Sequence, residues 1–165
     1  PLAFADALRG VLYHLNPLVA VEPRGDEFVF PLANLVDQVG WETAKKLGPD
    51  SEHGTRKMLQ RMGTQAGRRI LGEDVWIEQV TRQIKPGLSY VITDVRFTNE
   101  AAAIKKLGGE VWKVCRPGFG PLNDHESEHG LDDWSFDRGI LNNGAIADLE
   151  AAVLQNVRDL FSGRR

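Results

Sequence analysis

Three places in the sequence put phosphate-handling side chains directly after a run with the residue types of a strand. Asp94-Val95-Arg96 follows Ser89–Thr93, Arg116-Pro117-Gly118 follows Glu110–Cys115, and Asn142-Asn143-Gly144 ends a shorter run that begins at Arg138. In an open parallel sheet, ligands bind beyond the carboxyl ends of the strands. An arginine there donates two parallel hydrogen bonds from a planar fork, which matches phosphate oxygens. Asp94 is suited to hold a metal-bound water or to orient an arginine. An Asp94–Arg96 ion pair capping the following helix accounts for the same residues equally well.

A second group is the run from Arg56 to Arg69. It carries five cations, Arg56, Lys57, Arg61, Arg68 and Arg69, and no acid. Lys57, Arg61 and Arg68 share one face if the segment is a continuous α-helix. The interleaved Gly63 and Gly67 let backbone approach a ligand closely. The plain alternative is a solvated basic face. His125, Ser127, Glu128 and His129 make a third group. His125 and His129 are four residues apart, but no cysteine supports a zinc site. Ser127 also lacks the strand-to-helix elbow of a hydrolase nucleophile. A lid that closes over phosphates, or a solvated loop, fits this group better.

These groups need a scaffold. Leu8, Val11, Leu12 and Leu15 have helical spacing within 2–15, and Asn16-Pro17 ends that helix. Residues 18–31 are apolar on both sides of a turn at 23–26 and predict a hairpin or an irregular excursion. Helices are expected over 34–47, closed by Gly48-Pro49, over 51–62 and about 64–70, and over 74–84 with Asp74 as cap. Ser89–Thr93 has the β-branched and aromatic content of a buried strand. A helix over 99–107, closed by Gly108-Gly109, leads to a second strand over 110–115. That order predicts parallel strands joined by a right-handed crossover. Residues 116–133, with two prolines and three glycines, predict a mobile loop or short helical lid. A short strand over 138–142 and an amphipathic helix over 145–161 complete one α/β domain with a parallel sheet.

Composition narrows the function classes. At 165 residues, 42% hydrophobic and 26% charged, the chain has the make-up of one globular domain with a real core. A net charge of −3 argues against the nucleic-acid backbone as main partner, so phosphate binding must come from local arginines. Cys115 is the single cysteine and excludes an intramolecular disulfide, which points to a reducing cytoplasm. No apolar run approaches the roughly 20 residues of a membrane helix. Pro1-Leu2-Ala3-Phe4 is not a signal peptide, and the absence of a methionine there suggests numbering that begins inside a longer chain.

Read in order, MLQRMGTQAGRRILGEDVWI, SYVITDVRFTNEA, GGEVWKVCRPG, DHESEHGLDD and ILNNGAIADLE resemble the phage deoxynucleoside monophosphate kinases of the P-loop nucleoside monophosphate kinase group. The opening LAFADALRG resembles the segment after that family's first helix, so the likeness runs from about Leu2 to Leu149. It implies a P-loop NTPase-like three-layer α/β fold with a parallel sheet. In that fold 18–88 is a helical acceptor-binding region and 116–133 a lid. It implies phosphoryl transfer from ATP, with Mg2+, to a deoxynucleoside monophosphate for phage DNA precursor supply in the host cytoplasm. By position, Arg96 matches the arginine that holds the acceptor phosphate, with Asp94 the acid beside it. Arg56, Gln60, Thr64 and Arg68 match the segment framing the acceptor, Trp76 a packing residue after it, and Arg9 a cation near the acceptor phosphate. Arg116, His125, Ser127 and Glu128 match the lid over ATP, with Asp94 and Arg116 the catalytic candidates. Asn142, Asn143 and Gly144 match the loop against which adenine rests.

One part of the family pattern has no counterpart: nothing matches GxxxxGK[ST], the loop that supplies phosphate-binding amides, a lysine and a metal-binding hydroxyl. The expectation is that the first strand, that loop and the first helix lie before Pro1, that any metal ligand lies with them, and that the chain as written is inactive. Two other readings stand beside this one. One is a small-molecule kinase of the same fold, of phosphomevalonate or dephospho-coenzyme A type. The other is a non-catalytic nucleotide-binding protein. Neither a nucleic-acid polymer nor a membrane is an expected partner, and the amphipathic C-terminal helix permits a homodimer.

Overall fold

Helix α1 (Phe4–Leu15) forms where apolar residues recur every fourth position: Phe4, Leu8 and Leu12 share a face, and Phe4 and Leu12 are buried. It stops at Asn16, whose left-handed backbone (φ 48°) few residues other than glycine and asparagine adopt readily. Asn16 Oδ1 then accepts from the Ala33 N–H at 2.8 Å, so the residue that ends one helix helps to start the next. The computed structural model describes residues 1–22, 26, 28–48, 52–120 and 125–162. The expected turn at 23–26 except Asp26, Pro49 of the expected helix end, Ser51 of the expected helix start, and Asn123-Asp124 of the lid lie outside the described residues.

The 18–31 segment is a hairpin. Strands β1 (Leu18–Val21) and β2 (Phe28–Pro31) pair antiparallel, with Val19 opposite Phe30 and Val21 opposite Phe28. Helix α2 (Leu32–Leu47) follows directly and bends at Gly40, where φ 74° and ψ 161° suit glycine and strain any other residue. The uninterrupted helix expected over 34–47 is therefore two pieces meeting at Gly40. Leu12, Val19, Val21, Leu32, Leu35 and Ala44 form the core, with Leu8, Met58, Leu59 and Met62 packed on it.

Helix α3 (Thr55–Gln60) passes without a break into a π-helical segment, Arg61–Leu71. The sequence had suggested a stop at Gly63. Helix α4 (Val75–Thr81) explains the glycines. The Trp76 indole N–H donates to the Gly63 carbonyl at 2.8 Å, and a Cβ on Gly67 would lie 2.3 Å from the Trp76 ring. The close approach expected of these glycines thus serves a tryptophan of the same chain.

The chain divides into two compact units, Pro1–Val95 and Arg96–Arg165. In the first, the strand expected over 89–93 is extended chain with a single bridge, Ile92 to Leu2. The Leu2 N–H donates to Val91 O at 2.8 Å and the Thr93 N–H to Leu2 O at 3.2 Å. On the C-terminal side of Leu2 the pairing stops, because α1 begins at Phe4.

The second unit holds α5 (Thr98–Lys106), β3 (Trp112–Cys115), α6 (Glu126–His129), β4 (Arg138–Leu141) and α7 (Ile146–Ser162). Strands β3 and β4 pair in parallel, Trp112 opposite Arg138 and Cys115 opposite Leu141. The parallel pair is thus this one, with α6 in its connection, rather than 89–93 with 110–115. Two acids pin it. Asp137 accepts from Lys105 at 2.5 Å and from the Val111 N–H at 2.7 Å, while Glu110 accepts from Arg138 Nε at 2.7 Å and the Trp112 indole at 2.8 Å. The described residues thus form a mixed α/β chain with two two-stranded sheets, one of them parallel. Among them, no helix is long and apolar enough to cross a membrane.

These acids make the second unit acid-sensitive. The hydrogen bond from Arg138, and then that from Trp112, hold Glu110 below the usual carboxylate range; Lys105, and then the Val111 amide, do the same for Asp137. A carboxylate with a depressed folded-state pKa contributes stability above its unfolded pKa and loses it as pH falls through the folded one. The melting temperature is expected to drop as pH falls below about 4, the ordinary carboxylate pKa. Glu110→Gln should flatten that drop in circular-dichroism melts. A parallel pH dependence in the variant would remove Glu110 from the account.

Candidate functional site

In the first unit, Asp94 ends the extended segment, and each of its carboxylate oxygens accepts a backbone amide. Oδ1 accepts from the Phe4 N–H and Oδ2 from the Ala5 N–H, both at 2.8 Å. These are first-turn amides of α1, which have no carbonyl partner within the helix, and an acid there also meets the positive end of the helix dipole. Asp94 therefore caps α1; it makes no ion pair with Arg96 to cap the next helix. Asp94→Ala is expected to cost about 1–2 kcal/mol, the range of a lost helix cap. The check is a lower urea midpoint with an unchanged slope. An unchanged midpoint would mean that solvent replaces the carboxylate at no cost.

Arg9 lies one turn on from Phe4 and Ala5, with its guanidinium 3.4 Å from Glu42 and 3.8 Å from Asp6. Glu42 also accepts from Lys45 at 2.7 Å, and that bond leads the causes that hold it below the usual carboxylate range. Arg56 and Gln60 sit one turn apart on α3, while Thr64 and Arg68 fall in the π-helical segment. Its i→i+5 bonding widens each turn by about one residue. Seven residues then no longer complete two turns, so Arg68 leaves the face shared by Lys57 and Arg61. Those two instead converge on Glu52, at 3.7 and 3.3 Å. Thr64 is buried within this segment.

In the second unit, Arg96 is held at both ends. Glu100 Oε2 accepts from the Arg96 N–H at 2.8 Å and the Phe97 N–H at 3.1 Å. Glu100 is only 3% exposed, so this carboxylate fixes the arginine's backbone from inside. The Arg96 guanidinium projects outward and donates to Glu128 of α6. Residue types alone did not single out Glu100. The signal was its place three residues after Phe97, where a glutamate side chain reaches back to a helix's first free amides.

The lid group is mostly a helix cap. The Ser127 N–H donates to His125 Nδ1 at 3.2 Å, which makes that nitrogen the acceptor, and the Ser127 hydroxyl lies 2.9 Å from it. His129 pairs with Asp132 at 3.0 Å. Arg116 follows β3 with its guanidinium 4.8 Å from the Phe119 ring centre. The Asn142 N–H donates to Cys115 O at 2.7 Å, extending the parallel pairing by a residue. Arg116 and Asn142 therefore stand at the same, carboxyl end of the β3–β4 pair. Gly144 leaves room for Asp148: a Cβ there would lie 2.5 Å from Asp148 Oδ2, which accepts from the Ala145 N–H at 2.8 Å and caps α7.

The geometry thus gives an arginine with a fixed backbone facing helix α6, and a second arginine with an Asn-Asn-Gly loop at one end of a parallel pair. Comparison with known proteins adds a family. A family model described as deoxynucleotide monophosphate kinase matches residues 30–153. A protein of Acanthamoeba polyphaga mimivirus, provisionally named a deoxynucleotide monophosphate kinase, is 33% identical over 62% of this chain and 60% of its own. The deoxynucleoside-5'-monophosphate kinase of Escherichia phage T5 is 43% identical over 46% of this chain and 34% of its own. An uncharacterized protein of Ictalurid herpesvirus 1, ORF76, is 29% identical over 64% of this chain and 46% of its own. The chain thus spans about half the length of the curated relatives it matches.

Proposed function

The chain belongs to the deoxynucleotide monophosphate kinase family, and we propose that its residues serve transfer of the γ-phosphoryl group of ATP to a deoxynucleoside monophosphate, supplying DNA precursors. The observation that carries this reading is Arg96: a guanidinium whose backbone is fixed by buried Glu100 and whose fork already faces an anionic group. Such a fork, held in place before its ligand arrives, suits a terminal phosphate. The proposed fold is the three-layer P-loop type, with 18–88 as acceptor region and 116–133 as lid.

Phosphoryl transfer asks the protein for position and positive charge rather than covalent chemistry. Arg96 receives the acceptor phosphate, and Arg9 is a further cation for the acceptor. Arg56, Gln60 and Arg68 frame the nucleotide, and buried Thr64 holds the segment that carries them. Arg116 and the lid residues His125, Ser127 and Glu128 act on the ATP side, and Asn142, Asn143 and Gly144 form the adenine loop. A closed lid keeps water from the γ-phosphoryl group. Asp94 acts through α1, as a positioning residue. Magnesium accompanies ATP and takes one or two protein oxygens beside phosphate and water. Among the described residues no group of three or more His, Cys, Asp or Glu is placed to hold a metal ion.

The test is an ATP-dependent phosphorylation assay on the full-length protein, with each deoxynucleoside monophosphate in turn. Diphosphate from at least one acceptor is the expected result. No product with any of them, under conditions where ATP binds, would defeat the kinase reading.

A further inference from the structure

We infer that Glu128 is an intramolecular competitor of the acceptor's phosphate, occupying Arg96 in the free protein and leaving it, together with helix α6, when the acceptor binds. This rests on the assignment of Arg96 to the acceptor phosphate. A carboxylate and a phosphate offer an arginine fork the same pair of acceptor oxygens. The contact spans 32 positions in sequence, from the loop before α5 to the lid. Its two sides are unequal: the Arg96 side chain is 50% exposed and that of Glu128 15%. The guanidinium therefore stays open to an incoming anion while the carboxylate is largely covered.

A second observation shows that α6 is docked and not merely within reach of a long side chain. Gly130, directly after α6, lies against the Arg96 backbone: a Cβ there would be 2.4 Å from Arg96 O and 3.2 Å from the Phe97 ring. Only a glycine lets the lid come this close. The two partners also differ in what anchors them. Glu100 holds the Arg96 and Phe97 amides. Helix α6 is four residues long and carries its own cap in His125. Helix α6 can therefore shift as one short body while the arginine's backbone stays.

The exchange has a direction. A nucleoside monophosphate brings about −1.5 to −2 charges near neutral pH, against a single charge on Glu128. The acceptor therefore wins Arg96, but its apparent affinity is lowered by the fraction of molecules in which Glu128 is seated. Acceptor binding would in turn free the lid from Arg96, so that the lid is released only once an acceptor is present.

The experiment uses the full-length protein and its Glu128→Gln and Gly130→Ala variants. Calorimetry gives Kd for each deoxynucleoside monophosphate, and steady-state rates give KM for acceptor and for ATP. Both variants should tighten acceptor Kd and KM, roughly two- to fivefold for one partly exposed ion pair. A merely structural pair would not tighten acceptor binding when it is removed. Unchanged or weaker acceptor binding in both variants overturns the inference while the kinase reading stands. Failure of the unsubstituted protein to bind any acceptor overturns both.

Discussion

Replacing Arg96 by alanine is expected to lower kcat/KM for the deoxynucleoside monophosphate by about tenfold or more, since a hydrogen bond to a charged group contributes about 1.5–3 kcal/mol and 1.4 kcal/mol is a factor of ten. The fork offers two such bonds, so tenfold is the lower end. Arg96→Lys keeps the charge but loses the planar pair of donors, and should fall between wild type and alanine. The effect should be confined to the acceptor. Arg96 is half-exposed and its partner in the free protein is one carboxylate, so folding should change by no more than about 1 kcal/mol. The opposite pattern, a lower melting temperature with unchanged kinetics, would make the Arg96–Glu128 pair structural and remove Arg96 from the site.

The second large effect concerns folding. Trp76→Ala should destabilise the protein by about 3–5 kcal/mol, the range for a large aromatic removed from a core. Trp76 is 6% exposed, its indole N–H donates to Gly63 O, and its ring fills the space above Gly67 that any side chain would close. Neither glycine can fill the hole that truncation leaves. Against a typical total of about 5–15 kcal/mol, such a loss would leave much of the protein near its unfolding midpoint. Urea titration measures it directly. A loss below about 1 kcal/mol together with weakened nucleotide binding would show instead that Trp76 contacts the ligand.

What the sequence made legible depended on how local the determining physics is. The helix over 145–161 was found within a residue of α7, and that over 99–107 within one of α5, because amphipathic spacing and glycine stops are read within a few residues. The hairpin over 18–31 was one of two open readings, since its apolar runs do not say what they pack against. Ser89–Thr93 had the strongest strand composition, yet it makes one bridge. Pairing depends on how much extended chain lies opposite, and among the described residues only Ile92 finds a bridge partner, in Leu2. The π-helical segment was invisible, and the residue that packs on it, Trp76, lies five residues beyond its end. In the candidate site, the cations were conspicuous from their types and clustering. Their carboxylate partners were not: Glu42, Glu52 and Glu128 lie 33, 5 to 9, and 32 residues from Arg9, from Lys57 and Arg61, and from Arg96.

The cap on α1 also sets an order of events during synthesis. Phe4 and Ala5 receive their acceptors from Asp94, 90 and 89 positions later, and Leu2 bonds Val91 and Thr93 beside it. At about 5–20 residues per second, α1 waits several seconds on the ribosome before its capping carboxylate exists. Until then its first amides face water, and a helix of 12 residues is marginal alone. Helix α1 is thus finished late, when the nascent chain has brought out Asp94, near the end of the first unit.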